Sequence, residues 1–234
     1  LAGNAVNHLA DRLPAEARLP AFHCASCRSK VPLINYLVWP RRCPTCGKSR
    51  EVRTWLVDLF YIGCAIMLWV FPQTQLGFIA SYLVLVYLGV IFVIDAEHRI
   101  IHTYLLLLGV PLGLLVGWLQ ADLVGSLIGG LVGLVLVALL YLLGFAFTRL
   151  MVAWRGADLH GSALGFGDVL LSGVLGLMVG FPEVFSSLFY AVILAGLFSG
   201  GYILVMLSRQ RYTPGTAIPY APFLIIGALG VIYF

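Results

Sequence analysis

The stretch "GFIASYLVLVYLGVIFVI" (Gly77–Ile94) contains no charged side chain, and the polar sequence "DAEHR" follows it directly. A helix that crosses the hydrocarbon core of a bilayer needs about 20 mainly apolar residues. We therefore predict a membrane-spanning helix that ends beside Asp95. The stretch is typical of the chain, which has 234 residues and is 61% hydrophobic and only 10% charged.

Six further runs have the same character. The mean hydropathy of the whole chain is +1.00, and a soluble domain of this length would need many more polar residues to cover its surface. The sequence therefore predicts an all-α polytopic membrane protein with seven spans. The other six are Trp55–Phe71, Tyr104–Ala121, Leu123–Thr148, Asp168–Phe181, Val184–Ser208 and Tyr212–Phe234.

The first 54 residues differ from the rest, because they are rich in proline, charge and cysteine. We expect residues 1–54 to form a small cytoplasmic segment and residues 55–234 to form the membrane domain. The sequence begins at Leu1, and "LAGNAVNHLADRLP" is similar to the tail of a helix that is already under way. Residues 1–10 are therefore a possible remnant of a first span, which would give the full protein eight.

The basic residues predict the orientation of the spans. Nine of the 14 Lys and Arg residues lie between Arg12 and Arg53. Threading the seven spans alternately places all 14 on one side of the membrane, and the loops on the other side contain none. Loops rich in Lys and Arg usually face the cytoplasm. The basic excess is thus explained by topology and by contact with membrane lipid, and we expect no nucleic-acid partner.

Four cysteines form two pairs in the first segment, Cys24 with Cys27 and Cys43 with Cys46. The pattern C-x2-C-x15-C-x2-C can place four thiolates around one Zn²⁺ ion. Disulfides are the alternative, but cytosolic thiols are mostly reduced. The spacing therefore predicts a structural zinc ribbon on the cytoplasmic side.

Four acidic side chains are predicted at the cytoplasmic ends of spans: Asp58, Asp95, Glu97 and Asp168. Ionisable groups at membrane depth are costly and usually functional. Asp95 ends a span, where the helix dipole disfavours an anion, and its alternative is a solvated loop position. Asp168 begins a span within "GFGD", and its alternative is a helix N-cap. The two aspartates share a depth and a side, which leaves their lateral distance open.

Paired carboxylates can hydrolyse a peptide bond, since one serves as base and the other as acid. Asp95 and Asp168 are therefore candidates for such a hydrolytic pair, and their pairing is an inference from shared depth. The rival hypothesis is an ion-coupled transporter that uses the same two carboxylates. A transport site would be expected nearer the middle of the membrane than these residues are.

Several motifs resemble those of one family in an ordered series. "GFGD" resembles the G-x-G-D signature of intramembrane aspartyl proteases, and "IDAEHRII" resembles the segment that carries the first aspartate of type IV prepilin peptidases. The two CxxC pairs are similar to the family's cytoplasmic zinc-binding region, and "AIPYAPFLIIG" is similar to its last helix. The resemblance covers nearly the whole chain.

The resemblance implies cleavage of the short basic leader of prepilins and pseudopilins at the cytoplasmic face of the bacterial inner membrane, with Asp95 and Asp168 as the catalytic pair. It also implies N-methylation of the new terminus with S-adenosylmethionine, and a peptidase without this second activity is the alternative. The chain departs from the family pattern at His102, Leu170 and Ala221, where proline, lysine and glycine are usual.

The basic charge of the expected leader and the glycines before Asp168 predict which residues bind the substrate. A basic leader that approaches a basic cytoplasmic face needs acidic groups to attract it, and Glu97 and Asp58 lie nearest to the predicted catalytic edge. Gly165 and Gly167 flank Asp168 in sequence, and glycine permits close approach of another backbone. We therefore predict that these four residues bind the substrate.

Overall fold

The computed structural model describes residues 2–12, 27, 29, 45–47, 52–72, 75–120, 122–155, 165–209 and 219–234. Within these ranges the chain forms helices and no strand, which confirms the predicted all-α class. The helices are α1 (Ala2–Arg12), α2 (Val52–Val70), α3 (Gly77–His98), α4 (Thr103–Gln120), α5 (Leu123–Arg155), α6 (Phe166–Val179), α7 (Val184–Ser208) and α8 (Ala221–Tyr233).

Each of the seven predicted apolar runs overlaps one of these helices. Five of them, α2, α3, α4, α5 and α7, are long and apolar enough to cross a membrane. The other two are shorter, since α6 has 14 residues and α8 has 13. A polytopic membrane protein is therefore supported, and the number of spans stays a prediction. The last run was predicted to begin at Tyr212, whereas α8 begins at Ala221 and residues 210–218 lie outside the described ranges.

The chain separates into two compact units, 1–98 and 99–234. This division follows the packing of helices, so the predicted boundary between a cytoplasmic segment and a membrane domain at residue 54 stays a prediction. In the first unit, α1 packs against both α2 and α3. The Tyr61 hydroxyl of α2 donates a hydrogen bond of 2.9 Å to the Leu85 carbonyl of α3, which joins the two long helices.

In the second unit, α6 is central and packs against α4, α5, α7 and α8. Ten of its 14 residues are buried. Close packing with α5 depends on small residues, because a Cβ atom on Gly129 or Gly176 would overlap the backbone of the other helix. The Ser172 hydroxyl donates to the Gly133 carbonyl of α5 at 3.0 Å. These contacts fix the helix that carries Asp168.

Candidate active site

Asp95 is the predicted catalytic residue of the first unit. It lies in the last turn of α3, which ends at His98, and its side chain is only 5% exposed. Ile91 and Ile94 of the same helix are also buried, so the carboxylate stands at the edge of an apolar core. The helix stops where Arg99 adopts a left-handed conformation with φ 55°. The sequence thus predicted correctly that Asp95 lies near the C-terminal end of a long apolar helix.

Asp168 is the predicted catalytic residue of the second unit. It is the third residue of α6 and is 7% exposed, and Gly165 is the N-cap. The alternative that Asp168 is itself the N-cap is therefore wrong by three positions. The carboxylate still satisfies a free backbone donor, because its Oδ2 atom accepts a hydrogen bond of 3.0 Å from the Gly165 N–H.

The two glycines of "GFGD" have different surroundings. Gly165 is exposed, and it donates its N–H to Asp168. Gly167 packs against Ile101, and a Cβ atom on Gly167 would lie only 3.0 Å from the Ile101 Cβ. Glycine at position 167 therefore lets the first turn of α6 approach the segment before α4. The predicted contact of both glycines with a substrate stays a prediction.

Glu97 pairs with Arg53, a residue that sequence reasoning had counted only as part of the basic cluster. Arg53 Nη1 contacts Glu97 Oε2, and the two side chains are 23% and 34% exposed. The ion pair joins the first turn of α2 to the last turn of α3. It also neutralises part of the charge that was predicted to attract a basic leader.

Asp58 is buried in the first unit, with 9% of its surface exposed. It packs against α1, where a Cβ atom on Gly3 would overlap a carboxylate oxygen of Asp58. The structure therefore places Asp58 in the helix packing, and its predicted part in substrate binding stays a prediction. Asn7 of α1 is also fully buried, and its side-chain amide donates to the Thr54 carbonyl at 3.3 Å.

The buried asparagines of α1 were missed by sequence reasoning. Asn4 and Asn7 are 3% and 0% exposed and are spaced three residues apart, which places them on one face of the helix. That spacing was a signal available in the sequence. The burial of both asparagines shows that α1 presents a polar face to the helices on which it packs, α2 and α3. Polar side chains are common at the interfaces between helices of membrane bundles.

The three departures from the family pattern lie in different settings. Leu170 lines an apolar cleft of about 340 Å³ between α4, α5 and α6. At about 100° per residue, two residues of separation place Leu170 on the face of α6 opposite Asp168. His102 stacks on Tyr104 with ring centroids 5.1 Å apart, and Ala221 is fully buried at the start of α8.

Tyr220 is a residue for which the sequence predicted no role. It is half-buried and directly precedes α8, which packs on α6. A signal for this residue was its place between Pro219 and Pro222, which fix the backbone at the start of the helix.

The predicted zinc ligands fall partly outside the described residues. Cys24 and Cys43 lie outside them, whereas Cys27 and Cys46 lie within them and are exposed. The Cys27 sulfur lies 3.0 Å from the Ser29 hydroxyl. Two accessible thiols, one from each CxxC pair, suit zinc chemistry. The four-cysteine site stays a prediction.

The structure thus brings together Gly165 with Asp168, and Arg53 with Glu97. Asp95 belongs to the first unit and Asp168 to the second. Each carboxylate is buried at the end of a helix, in the setting that the sequence predicted for it. The pairing of Asp95 with Asp168 stays a prediction.

Comparison with known proteins places these residues in a family. A model of the type IV leader peptidase family matches residues 82–200, a range that contains both Asp95 and Asp168. The type 4 prepilin-like proteins leader peptide-processing enzyme of Escherichia coli O78:H11 (strain H10407 / ETEC) is 27% identical over 230 residues, which cover 92% of this chain and 76% of the relative. No solved structure matches the chain. The chain belongs to the type IV leader peptidase family.

Proposed function

We propose that this chain is an aspartyl endopeptidase that removes the short basic leader from type IV prepilins or pseudopilins, with Asp95 and Asp168 as its catalytic residues. The observation that supports this most is that the family-matched region contains two aspartates buried at helix ends. Ionisable side chains buried in a membrane protein are costly and are usually functional. Family membership supports a prepilin as the substrate and weighs against the transporter hypothesis.

In the proposed reaction the two catalytic carboxylates share one proton. One aspartate, ionised, takes a proton from water as the water attacks the scissile carbonyl, and the other, protonated, donates its proton to the carbonyl oxygen. Close approach of the two groups disfavours ionisation of both at once. No metal enters these steps, so the proposed zinc ion has a structural role.

The helix ends favour a particular division of roles. Burial opposes ionisation of both aspartates to a similar degree, because they are 5% and 7% exposed. Asp168 lies in the first turn of α6 and accepts the Gly165 N–H bond, both of which favour its anion. Asp95 lies at the negative end of the α3 dipole. Asp168 is therefore the proposed base and Asp95 the proposed acid.

The proposed site faces the cytoplasm, on the side where the basic residues cluster. That orientation rests on the distribution of Lys and Arg in the sequence. The location places the catalytic aspartates where the basic leader of a membrane-inserted substrate would lie. The proposed localisation is accordingly the bacterial inner membrane, with the cysteine-bearing segment on the same side.

A second activity, N-methylation of the newly exposed terminus with S-adenosylmethionine, is proposed only from the resemblance in sequence. One experiment separates the hypotheses. The purified protein is incubated with a prepilin and a methyl donor labelled in its methyl group. Cleavage with label in the product supports both activities, and cleavage without label supports a peptidase alone. Absence of cleavage, with folded protein and an intact substrate, would contradict the proposed function.

A further inference from the structure

The cleft between α4, α5 and α6 has a lining of hydrocarbon. Among the described residues that line it, Thr103 carries the one polar side chain, and all the others are leucine, valine or glycine. A site for a polar small molecule contains a few placed polar groups that fix the orientation of the ligand. The lining of this cleft therefore suits an occupant that is itself hydrocarbon.

The cleft is a groove with two walls and a floor. α4 and α5 meet at one end, where a Cβ atom on Gly117 of α4 would overlap the Ser126 side chain of α5. The Ser126 hydroxyl donates a hydrogen bond of 2.7 Å to the Leu177 carbonyl of α6, which joins the third helix to this junction. Away from the junction, α4 lines the groove back to Thr103, α5 lines it as far as Leu134, and α6 forms the floor.

The groove opens on the apolar outer surface of the unit. Leu107 on α4 and Leu131 on α5 are 67% and 64% exposed, whereas Val174 on the floor is 4% exposed. The two leucines therefore stand at the rim. Both α4 and α5 are long and apolar enough to cross a membrane, and the core of a bilayer around such helices consists of lipid hydrocarbon. The groove is thus continuous with a surface that lipid chains contact.

The dimensions of the groove distinguish a lipid chain from a helix. The floor extends from Leu170 to Leu177, which is about 10 Å at a rise of 1.5 Å per residue. Dividing the volume of about 340 Å³ by this length gives a mean cross-section of roughly 34 Å². An α-helix with its side chains is 10–12 Å across, which corresponds to a cross-section of about 80–110 Å². A partner's or a substrate's transmembrane helix is therefore too wide for the groove, and a single hydrocarbon chain is the narrower apolar element of the bilayer.

A hydrocarbon chain in the groove would extend the packing of α6. Apolar surfaces gain dispersion energy from each close contact, and atoms that line a void lose it. Leu170, Gly173, Val174 and Leu177 present the lining face of α6 to the groove. That face lies opposite Asp168, so a bound chain would contact α6 without entering the candidate catalytic site.

We propose that this groove binds one acyl chain of a membrane phospholipid, which lies along α6 between α4 and α5. The inference goes beyond the proposed function, because it assigns the second unit a lipid site that takes no part in cleavage. Its test accordingly needs no prepilin and no proteolysis.

The whole protein is placed in vesicles of phosphatidylcholine that carries a diazirine on its acyl chain, and the sites of photolabelling are mapped by mass spectrometry. Leu170 and Leu177 are half-buried and both line the groove, so a label on them requires a chain inside it. We expect label on these two residues as well as on the rim residues Leu107 and Leu131. Label on the rim alone would overturn the proposal, since lipid would then only pass over the surface. Label on neither pair would also overturn it, and would indicate that another protein surface, such as a second copy of this chain, covers the groove.

Val110→Trp should block the groove from α4, because Val110 lines it and is 39% exposed. This variant should lose the label on Leu170 and Leu177. Leu108→Trp is the matched control, since Leu108 lies on the same helix, is 63% exposed and does not line the groove, and the label should persist. Leu131→Trp blocks the groove from α5 and repeats the test if Val110→Trp does not fold. Label retained on α6 in a folded blocking variant would overturn the proposal.

Discussion

The Gly165 N–H lies 3.0 Å from the Oδ2 atom of Asp168, and the Asp168 N–H lies 3.1 Å from the Gly165 carbonyl. The two residues thus exchange hydrogen bonds across the first turn of α6. The spacing G-x-G-D is explained by this pair, because the N-cap and the third helical residue are three positions apart. The backbone N–H of Gly165 thus orients the carboxylate of Asp168 within the same G-x-G-D motif.

Replacing Gly165 with proline should weaken this hold on Asp168. Gly165 has φ −84° and ψ 149°, which proline tolerates, but proline lacks the N–H donor. We expect kcat for leader cleavage to fall about tenfold or more. Gly165→Ala is the control, since it keeps the N–H and its Cβ would lie 3.3 Å from Oδ2, a contact that a small shift relieves. Equal activity of the two variants would show that the hydrogen bond is unimportant for catalysis.

The close packing of α5 on α6 predicts a large effect of side-chain volume at Gly176. Gly176→Leu should destabilise the protein by about 1–3 kcal/mol or more, because the added atoms meet the backbone of α5. Gly196→Leu on α7 is the control, since nothing lies within 4 Å of a Cβ atom there. Thermal unfolding in detergent measures this effect, and we expect a lower Tm for Gly176→Leu only. Equal Tm values would mean that α5 and α6 are not closely packed.

Glu97 has two candidate roles, attraction of the basic leader and pairing with Arg53. Glu97→Lys should raise KM more than it lowers kcat if the residue only binds the leader. The exchange variant Arg53→Glu/Glu97→Lys restores opposite charges at the same two positions. Recovery of the wild-type KM in the exchange variant would assign Glu97 to the ion pair, and a KM that stays raised would assign it to substrate attraction.

The cysteine-bearing segment should contain about one zinc ion per chain, bound by Cys24, Cys27, Cys43 and Cys46. Elemental analysis of the purified protein measures the metal, and Cys→Ser at any of the four positions should lower its content. A segment this short has little core of its own, so metal loss should unfold it. The same substitutions should affect methylation at least as much as cleavage. Cysteines found paired as disulfides, with no zinc, would contradict this prediction.

The sequence predicted the apolar helices well, because length and hydropathy alone decide whether a segment can cross a bilayer. Gly77–Ile94 differs from α3 only at its end, since the helix continues through Asp95 to His98. The last helix was predicted less well. Its run begins at Tyr212, but α8 starts at Ala221, and hydropathy alone carries no sharp signal for a helix start within an apolar run.

The sequence predicted that Asp95 and Asp168 lie near helix ends, whereas it did not predict the contacts around the candidate site residues. Asp95 and Asp168 stood out because charge is rare in this chain. The burial of Asp58 against Gly3 depends on how α1 packs on α2, which no local pattern encodes. Contacts between residues distant in sequence are set by tertiary packing, and one sequence does not reveal them.

The proposal that Asp95 and Asp168 are both catalytic is tested most directly by measuring leader cleavage by the Asp95→Asn and Asp168→Asn variants. Each substitution is nearly isosteric and removes one carboxylate, so it should leave the helices intact. Purified variants with wild-type Tm are incubated with a prepilin, and the processed product is quantified. We predict that neither variant cleaves the leader, because neither carboxylate can serve as both acid and base in one step. Substantial cleavage by the folded Asp168→Asn protein would contradict it.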